Sequence, residues 1–384
     1  MRIPAFFILS LLLGAQLAAQ APSLVALEAV TGRKFYRENS DNEIAIEARI
    51  AVSTPTPSGP PSVLNIAFVL DRSGSMAGEP IAAMRRATTA AIASLADSDI
   101  VSVILFGSEV ETLIEAQRRD RIGDLDARIA QIEPAGGAAL FDALNQAAAQ
   151  LRRHAGPATI DRLILVTDGP PTKGPRELDD FVRLAEVFAR DGVAVSTLGL
   201  GPEFNEDMLA AMARTAHGQF RYLVQPAALA DALLAELAPR PTVIGRDAVL
   251  TIQFKPQARK LRSHAWREAT IDSTAISFRF PRLATSQPLR VLVSANLDAF
   301  YTRFEIPDFA TAKLRWTGLD GQPHELSQAV RVAFSAGTFA IPETPEVTVA
   351  RAASEVAIRE GFQKAIEAID QNDPRRGLRA LRTA

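Results

Sequence analysis

The chain has 384 residues, 22% of them charged and 47% hydrophobic, with 42 Lys plus Arg against 44 Asp plus Glu. That apolar share excludes wholesale disorder, and the length suits about two or three domains. A net charge of −2 leaves no global basic field for nucleic acid, and the absence of cysteine excludes disulfides, thiolate metal sites and cysteine nucleophiles.

Residues 1–20 read as a secretory signal peptide. Met1-Arg2 gives a positive start, Ile3 to Leu13 is an apolar run too short for a transmembrane helix, and Gly14 to Ala21 supplies the small residues of a cleavage region. No later apolar run reaches membrane length. The expectation is a secreted or periplasmic protein with no stable membrane insertion after cleavage.

Residues 22–62 form an N-terminal β segment: Glu43 to Val52 alternates as a half-buried strand does, and a Pro-rich link follows at Thr54 to Pro61. Residues 63–238 alternate buried-type strands with helical patterns, the signature of a parallel sheet covered on both faces. Val63 to Leu70 (VLNIAFVL) is its central strand, and Pro80 opens a helix with Ile81, Met84, Ala87 and Ile92 on its apolar face. Further strands are expected at Ile100 to Phe106, Glu109 to Ile114 (an antiparallel edge), Leu163 to Val166, Val193 to Leu198 and Phe220 to Val224. Helices are expected near Leu125 to Ile132, Leu140 to Arg153, Glu177 to Arg190, Glu206 to Ala216 and Ala227 to Leu237.

The texture changes at Pro239-Arg240-Pro241. Residues 239–346 carry alternating stretches such as Ala248 to Phe254, Ala275 to Phe280 and Leu289 to Val293, with Asp320-Gly321 as a hairpin turn further on. Residues 347–384 read as a C-terminal helical tail with Ile358, Phe362, Ile366 and Ile369 on one face. The predicted fold class is α/β: a doubly wound, mostly parallel, Rossmann-like sheet inserted in a flanking antiparallel β-sandwich, plus the C-terminal helix.

Chemistry concentrates after the central strand, where Asp71-Arg72-Ser73-Gly74-Ser75-Met76 offers one carboxylate and two hydroxyls spaced two apart. Val166-Thr167-Asp168-Gly169 puts a second carboxylate at the end of another strand. In a doubly wound sheet both strand ends open on one crevice, where ligands bind. Asp71, Ser73, Ser75 and Asp168 are hard oxygen donors, which select Mg²⁺ or Mn²⁺, or Ca²⁺ in a looser cage.

Asn65 to Met76 (NIAFVLDRSGSM) resembles the opening of a von Willebrand factor type A domain, and Leu165 to Gly169 (LVTDG) resembles that family's later metal-site strand and loop. Between them Gly136 to Leu144 (GGAALFDAL) is similar to the family's GGT-x-L-x-x-A-L segment. The flanking sandwich and terminal helix look like secreted bacterial members that share features with inter-alpha-trypsin inhibitor heavy chains. The resemblance implies a metal-ion-dependent adhesion site, with Ser73 and Ser75 on the ion and Asp71 and Asp168 binding it directly or through water. A carboxylate of the partner would fill the open position. Ala138 stands where the family carries its coordinating threonine, and Ala139 supplies no hydroxyl either. Mg²⁺ keeps several waters, so a water can take that place, at the cost of a weaker ion and a blunted ligand-exchange switch.

The function expected is therefore a secreted, non-enzymatic binding or adhesion module for a protein or surface polymer. The alternative is a structural envelope scaffold with a vestigial metal site. A third reading, a metal-assisted hydrolase using Asp71 and Asp168, lacks a base: no His lies near either motif, and Glu79 and Asp142 have no evident partner. His154, His217, His264 and His324 also show no metal-ligand spacing. Gly199 and Gly201 begin a G-x-G, but Phe204 occupies the third glycine position, and no phosphate-binding G-x-x-x-x-G-K-[ST] occurs.

Overall fold

The strand segments that precede the long apolar run at Val63 belong to a different body from it. The chain, seen in a computed structural model, is described over residues 24–33, 36–37, 42–53, 62–238, 241–264, 269–285, 288–301 and 306–335. The expected signal peptide, Pro239-Arg240 and the expected C-terminal helix lie outside the described residues. The chain opens with β1 (Val25–Thr31), β2 (Tyr36–Arg37) and β3 (Asn42–Val52). In β3, Ile44, Ile46, Ala48 and Ile50 are buried at every second position, the period of a strand with one face on a core.

The α/β body then runs β4 (Val63–Asp71), α1 (Glu79–Ala93), β5 (Ile100–Phe106), β6 (Val110–Arg118), α2 (Leu125–Ala130) and α3 (Leu140–Arg152). It continues through β7 (Thr159–Thr167), α4 (Leu178–Arg190), β8 (Ala194–Leu200), α5 (Glu206–Thr215), β9 (His217–Leu223) and α6 (Leu229–Leu237). The sheet order is β6-β5-β4-β7-β8-β9, parallel except for β6. β4 is buried along nearly its whole length because it has helices on both faces. Leu64, Ile66, Phe68 and Leu70 pack with α1, α2 and α6, while Ala67 and Val69 pack with α3, α4 and α5. Full burial of one such large side chain contributes about 1.5–3 kcal/mol. After β4 the chain adds β5 on one side and later β7 on the other. The strand order thus reverses between β4 and β7, and the crevice of a doubly wound sheet lies at that switch.

The remaining strands are β10 (Val243–Phe254), β11 (Ala258–Ser263), β12 (Ala269–Ile271), β13 (Ala275–Ala284), β14 (Leu289–Leu297), β15 (Ile306–Gly318), β16 (Pro323–Val332) and β17 (Phe334–Ser335). They join β1 and β3 in two antiparallel sheets, β1-β3-β14-β11 and β12-β13-β10-β15-β16, which share one core; β2 and β17 make a small parallel pair. β3, from before the α/β body, is zipped to β14, from after it, by Ile46 opposite Val293 and their neighbours. The α/β body is thus inserted between strands of the sandwich. The turn at Asp320-Gly321 joins β15 to β16, as the sequence predicts.

The two bodies meet at the amino end of the parallel sheet. Arg282 of β13 reaches the Asp161 carboxylate of β7 and donates to the Gly192 carbonyl at 2.7 Å. The Val243 N–H donates to Ser62 Oγ at 2.9 Å. Asp71 and Asp168 stand at the opposite ends of their strands.

Candidate functional site

Asp71 is the last residue of β4, and Asp168 follows the last residue of β7, its neighbour strand. Ser73 caps a short 3₁₀ turn, Gly74–Met76, whose Met76 is fully buried and anchors the loop. The fold brings all four predicted residues together. The Ser73 N–H donates to Asp71 Oδ1 at 2.7 Å, the Ser73 and Ser75 hydroxyls lie 3.0 Å apart, and Ser75 Oγ donates to Asp168 Oδ1 at 2.7 Å.

Asp71 is 0% exposed and takes a second hydrogen bond on Oδ2, from the Thr167 hydroxyl at 2.5 Å. Burial pushes its carboxyl up to about 6, against the hydrogen bonds from Thr167 and Ser73, and the nearby Asp168 adds to the rise. Asp168 is also raised, first by desolvation. Among the described residues no Lys or Arg forms an ion pair with either carboxylate; Arg72, between two of the site residues, turns instead to Glu111 of β6 at 3.3 Å. Two desolvated carboxylates and two hydroxyls without a basic partner match a hard divalent cation, which such oxygen sets bind. No group of three or more His, Asp or Glu arranged for a metal occurs among the described residues, so serine oxygens are half of this donor set.

The third segment, Gly136 to Ala139, borders the same crevice. The Gly74 N–H donates to the Gly136 carbonyl at 3.0 Å, and the Ala138 N–H donates to Thr172 Oγ1 at 2.7 Å. Ala138 is 4% exposed and packs with Ala67, Val69 and Phe106. Three hydroxyls at this end carry no role in the sequence reading: Thr167 on Asp71, Ser108 on the Gly137 N–H at 2.8 Å, and Thr172 on Ala138. Thr167 had a signal, since it sits inside the LVTDG run; Ser108 and Thr172 serve backbone groups 29 and 34 residues away in the chain and had none.

The candidate bases of a hydrolase stay elsewhere. Glu79 pairs with Arg86 at 2.6 Å, and Asp142 lies exposed in the first turn of α3. His154 bonds the Ala116 carbonyl at 3.0 Å, and His264 bonds Ser294 at 2.8 Å in the sandwich. The place where a Gly199 Cβ would stand is filled by the Phe204 ring at 2.5 Å, so the G-x-G run frames an aromatic contact and not a phosphate.

The family model of the von Willebrand factor type A domain matches residues 64–222. An uncharacterized protein of Synechocystis is 31% identical over 201 residues, which cover 51% of this chain and 46% of that protein. Human inter-alpha-trypsin inhibitor heavy chain H2 is 30% identical over 163 residues, covering 40% of this chain and 17% of that one. The chain therefore spans less than half the length of these relatives. Among solved structures, the von Willebrand factor type A protein from Catenulispora acidiphila superposes with a TM-score of 0.70 at 16% identity, covering 91% of this chain and 82% of its own. The ArnB paralog VWA2 from Sulfolobus acidocaldarius gives a TM-score of 0.65 at 16% identity, covering 94% and 90%. At such identities the likeness is one of fold, and it takes in the sandwich as well as the α/β body.

Proposed function

Residues 64–222 form a von Willebrand factor type A domain, and from that premise we propose that the chain is a non-enzymatic binding module that engages a protein or surface polymer through a divalent-cation site made of Asp71, Ser73, Ser75 and Asp168. The observation that carries this reading is the convergence of the four side chains at the β4–β7 switch, with Ser75 held on Asp168 at 2.7 Å and Asp71 buried with no Lys or Arg paired to it among the described residues. Mg²⁺, Mn²⁺ or Ca²⁺ suits this set; when bound, the ion would offer a coordination position to a carboxylate of the partner. The side chains of this chain hold and orient: Thr167 and the Ser73 N–H fix the Asp71 carboxylate, and Asp168 fixes the Ser75 hydroxyl. His154, His264 and His324 engage Ala116, Ser294 and Trp316 rather than the four site residues, which favours binding over hydrolysis.

No helix among the described residues is long and apolar enough to cross a membrane. Export to the periplasm or beyond remains part of the proposal and rests on the N-terminal residues.

Titration calorimetry with Mn²⁺ tests the site. The wild-type protein gives saturable heat that EDTA abolishes, and Asp71→Ala gives none while keeping its circular dichroism spectrum. Retention of the protein on an envelope fraction then falls on adding EDTA and with Asp71→Ala. Ala138 is the specific observation favouring the second reading, a structural envelope scaffold: negligible Mn²⁺ heat in the wild type would establish it in place of the adhesion module.

A further inference from the structure

Three loops meet at the carboxyl end of the sheet, and the hydrogen bonds among them are unequal. Residues 71–76 are tied to residues 135–139 through backbone alone, by Ala135 N–H to the Arg72 carbonyl at 2.6 Å and Gly74 N–H to the Gly136 carbonyl at 3.0 Å. Residues 135–139 are tied to 168–173 through Ala138. Its carbonyl accepts from the Thr172 and Lys173 N–H groups at 3.0 and 3.1 Å, and its N–H donates to the Thr172 hydroxyl at 2.7 Å. Thr172 therefore grips both polar groups of the residue at which the family's threonine is missing.

The glycines beside it fit the same grip. A Cβ on Gly137 would stand 2.4 Å from Thr172 Oγ1, and a Cβ on Gly136 would stand 2.2 Å from Ser108 Oγ. Gly136 also has φ +69°, a backbone conformation that side chains disfavour. Two hydroxyls thus occupy the space that side chains on the Gly-Gly pair would take. Only Pro170 and Pro171 lie between Gly169 and Thr172, and their fixed φ angles leave this short segment little freedom. Where Thr172 is held, Asp168 is held too.

Resting on the cation-site reading above, we propose that Thr172 is a positioning residue of that site. By clamping the Ala138 peptide, its hydroxyl fixes Asp168 against Ser75 and compensates in rigidity for the oxygen that Ala138 does not supply. Groups that orient metal ligands without touching the ion typically cost about 10–100-fold in affinity when removed.

The experiment is Mn²⁺ calorimetry on wild type, Thr172→Val, Thr172→Ser and Gly137→Ala, with melting temperatures in EDTA measured in parallel. Thr172→Val keeps the shape and removes the hydroxyl, so the expected result is a loss of about tenfold or more in affinity. Thr172→Ser restores the oxygen and should bind within about threefold of wild type, a rescue that a methyl-packing role would not produce. Gly137→Ala displaces the hydroxyl from the other side and should weaken Mn²⁺ with Thr172 intact, which serves if the valine variant fails to fold. Wild-type affinity in both Thr172→Val and Gly137→Ala would overturn the inference, as would a lower melting temperature in EDTA with unchanged Mn²⁺ affinity. Absence of Mn²⁺ binding in the wild type itself would overturn the cation-site reading and this inference with it; the two failures are therefore distinct.

Discussion

Together, strands β4 and β7 place a buried acid at each end of the pair, Asp161 at the amino end and Asp71 at the carboxyl end, and the two ends are treated differently. At the amino end Asn65 stands opposite Asp161 in the parallel register, and its amide donates to Asp161 Oδ1 at 2.8 Å. Asp161, 2% exposed, gives its other oxygen to Arg282 of the sandwich. At the carboxyl end Asp71 is buried as well, beside Asp168, and receives a backbone N–H and a hydroxyl, with no ion pair among the described residues. The same two strands thus hold one buried carboxylate neutralised by an arginine and one with no cation among the described residues. A buried acid that serves the fold is paired, because an unpaired charge in the interior is costly. A buried acid kept unpaired at a strand end is what a site for an external cation requires.

Removing the arginine breaks the paired end and gives the largest expected effect. Arg282→Ala leaves Asp161 buried without a cation and also frees the Gly192 carbonyl. Loss of one partner of such a pair costs about 3–5 kcal/mol. Urea unfolding should show that loss, and Asp161→Asn in the Arg282→Ala background should recover a large part of it. No change in the midpoint for Arg282→Ala would mean that the two ends do not differ as described.

At the unpaired end the opposite sign is expected. Burial raises Asp71 from its usual 3.8 to about 6, so its proton is bound more tightly in the folded than in the unfolded chain. That contribution to stability is complete below pH 3.8 and is lost as pH rises through 6. Above that window the metal-free protein carries a penalty of up to about 3 kcal/mol, from two pKa units at 1.36 kcal/mol each. Asp71→Asn removes the charge and keeps the contacts: its carbonyl accepts from the Ser73 N–H, and its amide donates to the Thr167 hydroxyl, which already reaches the Gly169 carbonyl at 3.1 Å. In EDTA the variant should therefore be more stable than wild type at pH 7.5, with the difference vanishing near pH 4. A destabilised Asp71→Asn at pH 7.5 in EDTA would contradict the account of this end.

The carboxyl end was far more legible in the sequence than the amino end. β4 stands out because a run apolar on both faces is rare outside a covered sheet, and D-x-S-x-S follows it directly. The pairing of Glu43 to Val52 with strands beyond residue 239 was also legible, since alternation marks a strand that needs a second sheet. β1 is faint in the sequence because Ala26 and Ala29 blur its alternation, and β11 is faint because Arg259, Lys260 and Arg262 make a polar edge strand with little apolar signal. Arg282 and Asp161 lie 121 residues apart and meet through the packing of two bodies, which no local pattern encodes. Thr172 is of the same kind: its partner is a peptide group, and peptide groups leave no mark in a sequence.

The smallest expected effect sharpens the contrast at the unpaired end by adding the missing hydroxyl. Ala138 is nearly buried, and its own N–H is already engaged by Thr172, so Ala138→Thr adds one methyl to a packed neighbourhood and one oxygen to the crevice border. If Asp71, Ser73, Ser75 and Asp168 hold a cation, an ion that binds only the folded state stabilises it by RT ln(1 + [L]/Kd). That is about 0.4 kcal/mol with the ion at its Kd and about 1.4 kcal/mol at tenfold excess. A tenfold tighter site in Ala138→Thr therefore gains about 1 kcal/mol over wild type at an Mn²⁺ concentration equal to the wild-type Kd. Differential scanning fluorimetry in EDTA and in Mn²⁺ separates this gain from any change in packing, because packing acts in both buffers and the ion in one. An equal Mn²⁺ shift in Ala138→Thr and wild type would mean that position 138 does not face the ion, and the clamp through Thr172 would then be the whole contribution of this loop.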